Sequence, residues 1–167
     1  MPYVFFIEKT ISPEEFQSKW ATKILKSEGA EIMVWGFKVP KFLLRFIDDN
    51  NIPMYYVEDG FIRSIALGAT KAPPFSLTLD SRTPYFNAQK ASDLEVLLSS
   101  YDFAADPELL QRSRNLINKL LETGISKYNQ SQNVEISDIY GVKTRKRILV
   151  IGQVEDDASI TYGCNRR

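Results

Sequence analysis

Apolar residues in the first sixty positions recur with the period of a strand and then of a helix, in alternation. Short runs rich in aromatic and β-branched residues, which are typical of strands, cover residues 3–7, 31–37 and 53–57. Between them, Ser12-Pro13-Glu14-Glu15 has the pattern of a capping box, and Pro40 begins a second helical repeat. Because short connections join these elements, their order predicts an α/β fold with a parallel sheet and right-handed crossovers.

Each of the two predicted helices carries one apolar face, which we assign to the core rather than to a cofactor. The residues on these faces are Phe16, Trp20, Ile24 and Leu25 in the first helix and Phe42, Leu43, Phe46 and Ile47 in the second. A cofactor role for Trp20 or Trp35 is the less favoured interpretation. The sequence therefore predicts helices packed on the sheet through ordinary core side chains.

The middle of the chain predicts one more strand and two more helices. Residues 75–80 alternate apolar and polar positions, as in a strand exposed on one side. Ser92-Asp93-Leu94-Glu95 is a second capping box, and Asp106-Pro107 opens the longest helix, with Gly124 as its stop. Because leucines and isoleucines line one side of that last helix, we expect it to cover the sheet.

Residues 129–146 are polar and then basic, and the sequence predicts a linker there. The run Ile148-Leu149-Val150-Ile151-Gly152 is fully apolar, which is typical of a strand buried on both faces of a parallel sheet. A crossover to another parallel strand needs a dozen or more residues, and only about that number follow Gly152, so little of a second sheet can follow. We therefore expect residues 148–152 to be the first strand of a further domain. An edge strand of the first sheet is the alternative.

Composition narrows the possible functions. The chain has 167 residues, of which 44% are hydrophobic, enough to bury a real core. Its 21 basic and 21 acidic residues balance, so no net field favours nucleic acid or an anionic membrane. A single cysteine, Cys164, and no long apolar segment lead us to expect a cytoplasmic protein. Histidine is absent, so catalysis would have to use carboxylates, hydroxyls, lysine or arginine.

The stretch VEDGFIRS at 57–64 closes the third predicted strand with chemically active side chains. Glu58 and Asp59 stand at the carboxyl end of that strand, where ligands bind in open α/β sheets. Gly60 suits a tight turn, and Arg63 offers a planar fork of donors for a carboxylate or phosphate. The alternative is a charged turn on the surface in which Arg63 pairs with Glu58.

A second acidic cluster, QVEDDAS at 153–159, follows the apolar run at 148–152 in the same manner. Two such clusters facing one cleft could supply a carboxylate nucleophile and an acid/base partner, as glycosyl transfer commonly requires. The alternative is that Asp156 or Asp157 only caps a following helix, because an anionic N-cap satisfies the first amide groups.

Several segments of this chain, taken in their order along the sequence, resemble one protein family. The segments are VEDGFIRSIALGA, PPFSLTLDS, PYFNAQKASDLEVLL, SKYN and ILVIGQVEDDASITYG. In this order they resemble the capsular polysaccharide biosynthesis family, whose characterised members are β-Kdo glycosyltransferases, and they look most like one module of the two-module capsule Kdo transferases. The resemblance runs from about Met54 to Gly163, whereas the first fifty residues match in layout only.

The resemblance implies a GT-B architecture, in which two Rossmann-like domains flank a cleft. Residues 1–128 would be the N-terminal, acceptor-side domain, 129–146 the linker and 147–167 the first strand and loop of an incomplete nucleotide-sugar domain. It implies transfer of Kdo from CMP-β-Kdo to a lipid-linked or saccharide acceptor with retention, and no cofactor or metal. It also allows a peripheral association with capsule assembly proteins at the inner membrane.

The resemblance also implies a role for each candidate residue. Asp157 would be the nucleophile and Glu58 the acid/base or acceptor-orienting group. Arg63 and Ser64 would address the sugar carboxylate or the acceptor, and Asp59, Gly60, Gln153 and Ser159 would shape the site. The family continues into a further domain with a Lys-Pro-His-Pro-like segment, so we expect this chain to be inactive alone. Ala66 and residues 83–86 depart from the family pattern. A non-catalytic module that binds an acceptor or partner is the alternative.

Overall fold

The computed structural model describes residues 2–65, 72–129, 135–153 and 157–163. Its centre is a four-stranded sheet in the order β1-β2-β3-β4, formed by β1 (Val4–Ile7), β2 (Glu31–Trp35), β3 (Met54–Asp59) and β4 (Leu77–Asp80). The first three strands are parallel, with Ile7 beside Val34 and Val34 beside Tyr56, whereas β4 runs antiparallel to β3. The predicted α/β fold with a mostly parallel sheet is confirmed.

Helices follow the strands in the predicted order. A continuous helical stretch consists of α1 (Pro13–Phe16), a π-helical turn (Gln17–Ala21) and α2 (Thr22–Lys26). It is followed by α3 (Lys41–Asp49), α4 (Asp93–Ser100), a 3₁₀ turn (Phe103–Ala105), α5 (Pro107–Thr123), α6 (Ile136–Tyr140) and α7 (Ala158–Gly163). No helix in these described ranges is long and apolar enough to cross a bilayer.

The predicted helix starts are formed by side chains that accept from free backbone amides. The Glu15 amide donates to the Ser12 hydroxyl at 3.1 Å, and Ser92 and Glu95 form a reciprocal capping box. The Leu109 amide donates to the Asp106 carboxylate at 2.9 Å. Each cap satisfies donors that have no partner inside the helix, which is why these short patterns locate helix starts from sequence alone.

The core lies between one face of the sheet and the helices α1 to α3. Ile7, Ile32 and Val34 share that face and are fully buried against Phe16 and Leu43. On the opposite face, Val4 and Phe6 are 49% and 47% exposed. Leu25, assigned to the core from its spacing, is exposed, whereas Ala21 is buried. The π-helical turn (Gln17–Ala21) lies between Phe16 and Leu25, which were predicted to share one face of the helix. The regular helical spacing therefore does not hold between them.

The prediction for the longest helix is wrong: α5 packs against the 3₁₀ turn before it and has no buried residue, so it does not cover the sheet. Residues 148–151 are irregular and 75–86% exposed in this chain, so they do not form an edge strand of this sheet. Their place as the first strand of a further domain stays a prediction. Apolar composition shows that a segment favours burial, but a strand also needs a neighbour to accept its hydrogen bonds, and the described residues supply none there. The short helix α6 lies within the predicted linker.

Candidate functional site

Glu58 lies at the carboxyl edge of the parallel strands, near residues from both neighbouring strand ends. It is the penultimate residue of β3, lies beside Thr78 of β4 and is half-buried. A Cβ atom added to Gly36, which follows β2, would lie 3.5 Å from Glu58 Oε1 and 3.9 Å from Nζ of Lys9, which follows β1. Gly36 has a φ of +82°, a conformation that glycine adopts without strain. Three strand ends therefore meet around one carboxyl group.

Burial raises the pKa of the Glu58 carboxyl above its ordinary value. The hydrogen bond from the Asp59 amide acts in the opposite direction, and so do the positive charges of Lys9 and Lys127, whereas the negative charge of Asp59 adds to the rise. A carboxyl group whose pKa is raised toward neutrality is better suited to accept and return a proton than an ordinary surface glutamate.

The raised pKa of Glu58 predicts a pH-dependent effect of Glu58→Gln. The folded protein binds the proton of Glu58 more tightly than the unfolded chain does. The protonated carboxyl group therefore contributes fully to stability below about pH 4.5, and this contribution is lost as the pH rises through the pKa of the folded state. Glutamine cannot ionise, so we expect the variant to melt at a higher temperature than the original protein at pH 7 and at nearly the same temperature at pH 4. Thermal unfolding at both pH values measures this.

Glu28→Gln is the matched control, because Glu28 is exposed in the turn after α2. The difference in melting temperature between Glu28→Gln and the original protein should be the same at pH 4 and at pH 7. An equal stabilisation by Glu58→Gln at pH 4 and pH 7 would show that removal of the charge is not the cause.

Asp59 and Arg63 form a buried ion pair next to Glu58. Arg63 Nε lies 2.7 Å from Asp59 Oδ1, and the two side chains are only 7% and 19% exposed. The atoms are close but not aligned as a hydrogen bond. A terminal nitrogen of Arg63 also donates to the Ser64 hydroxyl and to the Ala72 carbonyl, each at 2.8 Å. The alternative interpretation, a surface pair of Arg63 with Glu58, is therefore wrong, and the role of Arg63 in sugar binding stays a prediction.

The segment after Gly60 is held at both ends by backbone contacts. The Gly60 amide donates to the Ser76 carbonyl at 3.0 Å, and a Cβ on Gly60 would lie 2.2 Å from Ser76 Oγ. The amide of Arg63 donates to the Lys127 carbonyl at 3.0 Å, and the Asn129 amide donates to the Ser64 carbonyl at 3.2 Å. Gly60 therefore allows the backbone after β3 to approach Ser76 closely, which is a different role from the tight turn that its sequence suggested.

Asp157 stands directly before α7 and is half-buried. Its backbone carbonyl accepts from the amides of Ile160 at 3.1 Å and Thr161 at 2.9 Å, which begin the helix. The ring of Tyr162, in α7, lies 5.9 Å from that of Phe37, the residue after Gly36. Helix α7 therefore reaches the strand edge that carries Glu58. A crevice shared by Glu58 and Asp157 stays a prediction.

The other candidates of the second acidic cluster are less informative. Gln153 lies at the end of the exposed segment. The backbone of Ser159 belongs to α7, while its side chain and residues 154–156 lie outside the described part of the chain. Their predicted roles are therefore not addressed by the structure.

Sequence reasoning missed a row of aromatic rings along this edge. Phe61 lies 5.4 Å from Tyr85, Tyr85 lies 5.6 Å from Phe86, and Phe86 lies 6.4 Å from Phe37, between ring centroids. Phe37 then contacts Tyr162. The adjacent aromatic residues at 85 and 86 were the available signal, but their partners come from distant parts of the chain. The row connects the end of β3 with α7.

Asp80 was also missed, because its surroundings form only in the folded chain. It is 6% exposed and accepts from the amides of Arg82 and Thr83, both at 2.9 Å, and of Asp93 at 2.8 Å. Beside it, an open groove of about 380 Å³ is lined mainly by apolar side chains, including Phe61, Leu79, Tyr85 and Leu97. Asp80 thus lines this groove and also orders the turn that follows β4.

Comparison with known proteins shows that this chain is similar to proteins named for capsule and lipopolysaccharide. A family model described as "Capsule polysaccharide biosynthesis protein" matches residues 30–167. The chain is 41% identical over 142 residues to the capsule polysaccharide modification protein LipA of Neisseria meningitidis, and 38% identical over 133 residues to the lipopolysaccharide-processing protein LpsZ of Rhizobium meliloti. These matches cover 84% and 80% of this chain but 19% and 30% of those proteins.

A solved structure shows the same fold. The β-Kdo 2,4 transferase of KpsC from Thermosulfurimonas dismutans matches with a TM-score of 0.70 at 27% identity. The match covers 98% of this chain and 52% of that one. The chain therefore spans about half the length of the solved relative.

Proposed function

Because the chain belongs to the capsule polysaccharide biosynthesis protein family, we propose that it contributes the acceptor-side part of a retaining β-Kdo transferase site. Its relatives modify capsule polysaccharide or process lipopolysaccharide, and the protein with the matching fold transfers β-Kdo. The observation that carries the proposal is the half-buried Glu58, whose pKa is raised by burial, at the strand edge that helix α7 also reaches.

The proposed reaction has two displacement steps. In the first, the Asp157 carboxylate attacks the anomeric carbon of CMP-β-Kdo; the bond from that carbon to the phosphate oxygen breaks, and CMP leaves with the electron pair. In the second, an acceptor hydroxyl attacks the same carbon, Asp157 leaves, and Glu58 takes the hydroxyl proton. Two inversions give net retention, and no histidine is needed.

Each proposed carboxylate matches the chemistry of its step. A nucleophile must be ionised to attack, so Asp157 needs a polar environment, and it lies half-buried before α7 rather than in the apolar core. A proton acceptor works best when its pKa approaches the working pH, which is the direction in which burial moves Glu58. The raised pKa of Glu58 is what favours it as the proton acceptor, and the role of Asp157 follows from the resemblance.

A chimeric enzyme tests the proposal directly. This chain would replace its structural counterpart in the Thermosulfurimonas dismutans β-Kdo 2,4 transferase, which it covers by 52%. With CMP-β-Kdo and no acceptor, mass spectrometry should find a sugar adduct on the peptide that contains Asp157. The adduct should be absent in Asp157→Asn, because an amide cannot form the glycosyl ester, and the 167-residue chain alone should show no turnover.

The control is Asp138→Asn, since Asp138 is exposed in α6. That chimera should form the adduct as the parent does. Kdo transfer that continues unchanged in Asp157→Asn would contradict the proposed nucleophile. Saturable acceptor binding that survives both Asp157→Ala and Glu58→Ala, with no transfer by any chimera, would favour a non-catalytic binding module instead.

A further inference from the structure

Helix α7 depends on contacts with the first half of the chain. It has six residues, and a helix shorter than about 12 residues is at best marginally stable in water without tertiary packing. The ring of Tyr162 lies 5.9 Å from that of Phe37, and a Cβ added to Gly163 would lie 3.9 Å from the Cβ of Ala88. Contacts of this kind are therefore what places α7 on the strand edge.

The ring of Phe37 is tied to the strand that carries Glu58. The amide of Gly36, the residue before Phe37, donates to the Val57 carbonyl at 3.0 Å, and Glu58 follows Val57 directly. The Phe37 ring also lies 6.4 Å from that of Phe86. Both of its ring contacts fall within the range of about 4.5–7 Å in which aromatic pairs are stabilising. The side chain that contacts α7 therefore moves with the end of β3.

Asn87 orders the turn on the other side of this contact. Its side chain is buried, its amide nitrogen donates to the Thr83 hydroxyl at 2.7 Å, and its side-chain oxygen accepts from the Gln89 amide at 3.0 Å. Phe86 and Ala88, which contact Phe37 and α7, are the two neighbours of Asn87 in sequence. A hydrogen-bonded turn therefore presents both of them.

Asp157 is tied to the same helix at its start. Its backbone carbonyl accepts from the amides of Ile160 and Thr161. Tyr162 follows five residues after Asp157, which corresponds to about 8 Å along a helix axis. Over so short a distance, a displacement of the Tyr162 ring displaces Asp157 by a similar amount.

We propose that Phe37 and Tyr162 are positioning residues, whose contact sets the distance between the carboxyl groups of Asp157 and Glu58. This rests on the proposed function, in which Asp157 attacks the sugar and Glu58 takes the proton of the acceptor hydroxyl. Two groups that act on one sugar need a fixed separation, because a 1 Å misplacement of reacting groups can slow a reaction about a hundredfold. Each ring acts through the carboxyl group whose backbone it fixes, not on the sugar.

Disulfide formation in the 167-residue chain tests the position of α7 without any turnover. Cys164→Ser first removes the native thiol. Ala88→Cys and Gly163→Cys then place two Cβ atoms 3.9 Å apart, within the roughly 3.5–4.5 Å that a disulfide spans. With oxidised glutathione we expect an intramolecular disulfide, identified by mass spectrometry of the linked peptides. Phe37→Leu should slow its formation, because the ring that holds α7 is lost.

The matched control pairs Ala88→Cys with Gly152→Cys, since a Cβ on Gly152 would have no described neighbour within 4 Å. That pair should form a disulfide much more slowly. Tyr162 is 41% exposed, so Tyr162→Leu should not disturb folding. It should slow the first pair as Phe37→Leu does, which excludes a folding defect of Phe37→Leu as the cause.

The chimera measures the consequence for transfer. Phe37→Leu and Tyr162→Leu should each slow formation of the Asp157 adduct by about tenfold, which is less than the cost of a 1 Å misplacement. The affinity for CMP, measured by calorimetry, should not change, whereas a general loss of folding would lower it. The double variant should be no slower than either single one, because both remove the same contact. Closing the disulfide between positions 88 and 163 in Phe37→Leu should restore the rate.

Phe103→Leu is the control for the loss of an aromatic ring. Phe103 lies in the 3₁₀ turn before α5, and its ring pairs with that of Tyr101 at 5.0 Å between centroids. This variant should change neither disulfide formation nor the rate of adduct formation.

The inference is overturned if the two cysteine pairs form disulfides at equal rates, or if Phe37→Leu and Tyr162→Leu form the adduct as fast as the parent chimera. The second result, with the Asp157 adduct present, would leave the transferase proposal intact. Rapid formation of the disulfide between positions 88 and 163 that depends on Phe37, with no adduct in any chimera, would support the contact and contradict the transferase proposal.

Discussion

Replacing Arg63 with methionine is expected to destabilise the protein by about 3 kcal/mol, the scale observed when one partner of a buried ion pair is removed. Methionine keeps much of the apolar volume but leaves the Asp59 carboxylate, only 19% exposed, without its cation at 2.7 Å. The bond to the Ala72 carbonyl is lost as well. Urea denaturation, with the slope compared between variants, measures the change.

The exposed pair Arg82–Asp93 provides the matched control. Its atoms are 2.9 Å apart, but the side chains are 51% and 40% exposed, so Arg82→Met should cost no more than about 1 kcal/mol. Adding Asp59→Asn to Arg63→Met should recover part of the loss, since the uncompensated charge is then gone. If Arg63→Met were as mild as Arg82→Met, the pair would not be supporting the loop after β3.

Gly60→Ala should cost about 2–3 kcal/mol, within the range for overpacking a tightly packed site. The added Cβ would lie 2.2 Å from Ser76 Oγ and 2.9 Å from the Ser76 carbonyl carbon, so the backbone itself would have to move. Movement would also weaken the 3.0 Å bond from the Gly60 amide to the Ser76 carbonyl. Denaturation midpoints report the stability, and the amide signals of residues 75–77 report the local displacement.

Gly152→Ala is the control for glycine replacement, because a Cβ there would have no neighbour within 4 Å. It should be nearly neutral. Combining Gly60→Ala with Ser76→Gly removes the Oγ and Cβ contacts but not the backbone contact, so a partial recovery is expected. A fully stable Gly60→Ala single variant would mean that the β3–β4 junction is looser than the structure indicates.

These two predictions divide the VEDGFIRS stretch into parts with different roles. Glu58 is half-buried and its pKa is raised by burial, which suits the proton-accepting role that we propose for it. Asp59, Gly60 and Arg63 hold the chain that follows β3 in place, through an ion pair and a close backbone approach. A reactive carboxyl group works only if its position is held by rigid surroundings, so the structural part of the motif supports the chemical part.

Local patterns predicted what depends on local interactions. Capping at Ser12, Ser92 and Asp106 is decided within three residues of each cap, so the helix starts were predictable. The partner of Arg63 was not predictable, since Glu58 and Asp59 are neighbours in sequence and only the pleat of β3 decides which of them faces Arg63. The convergence of Lys9, Gly36 and Glu58 was missed because each follows or ends a different strand.

The sequence by itself determined the α/β class, the alternation of the first three strands with helices, the helix starts and the chemical inventory without histidine. These follow from hydrophobic period, capping and composition, which act over a few residues. Only the tertiary structure decided which face of the sheet is covered, that α5 and residues 148–151 stay exposed, and which charges meet at the strand edge. Those outcomes depend on contacts between residues that are distant in the chain. Apolar periodicity predicts that a face favours burial, but it does not predict which element covers that face.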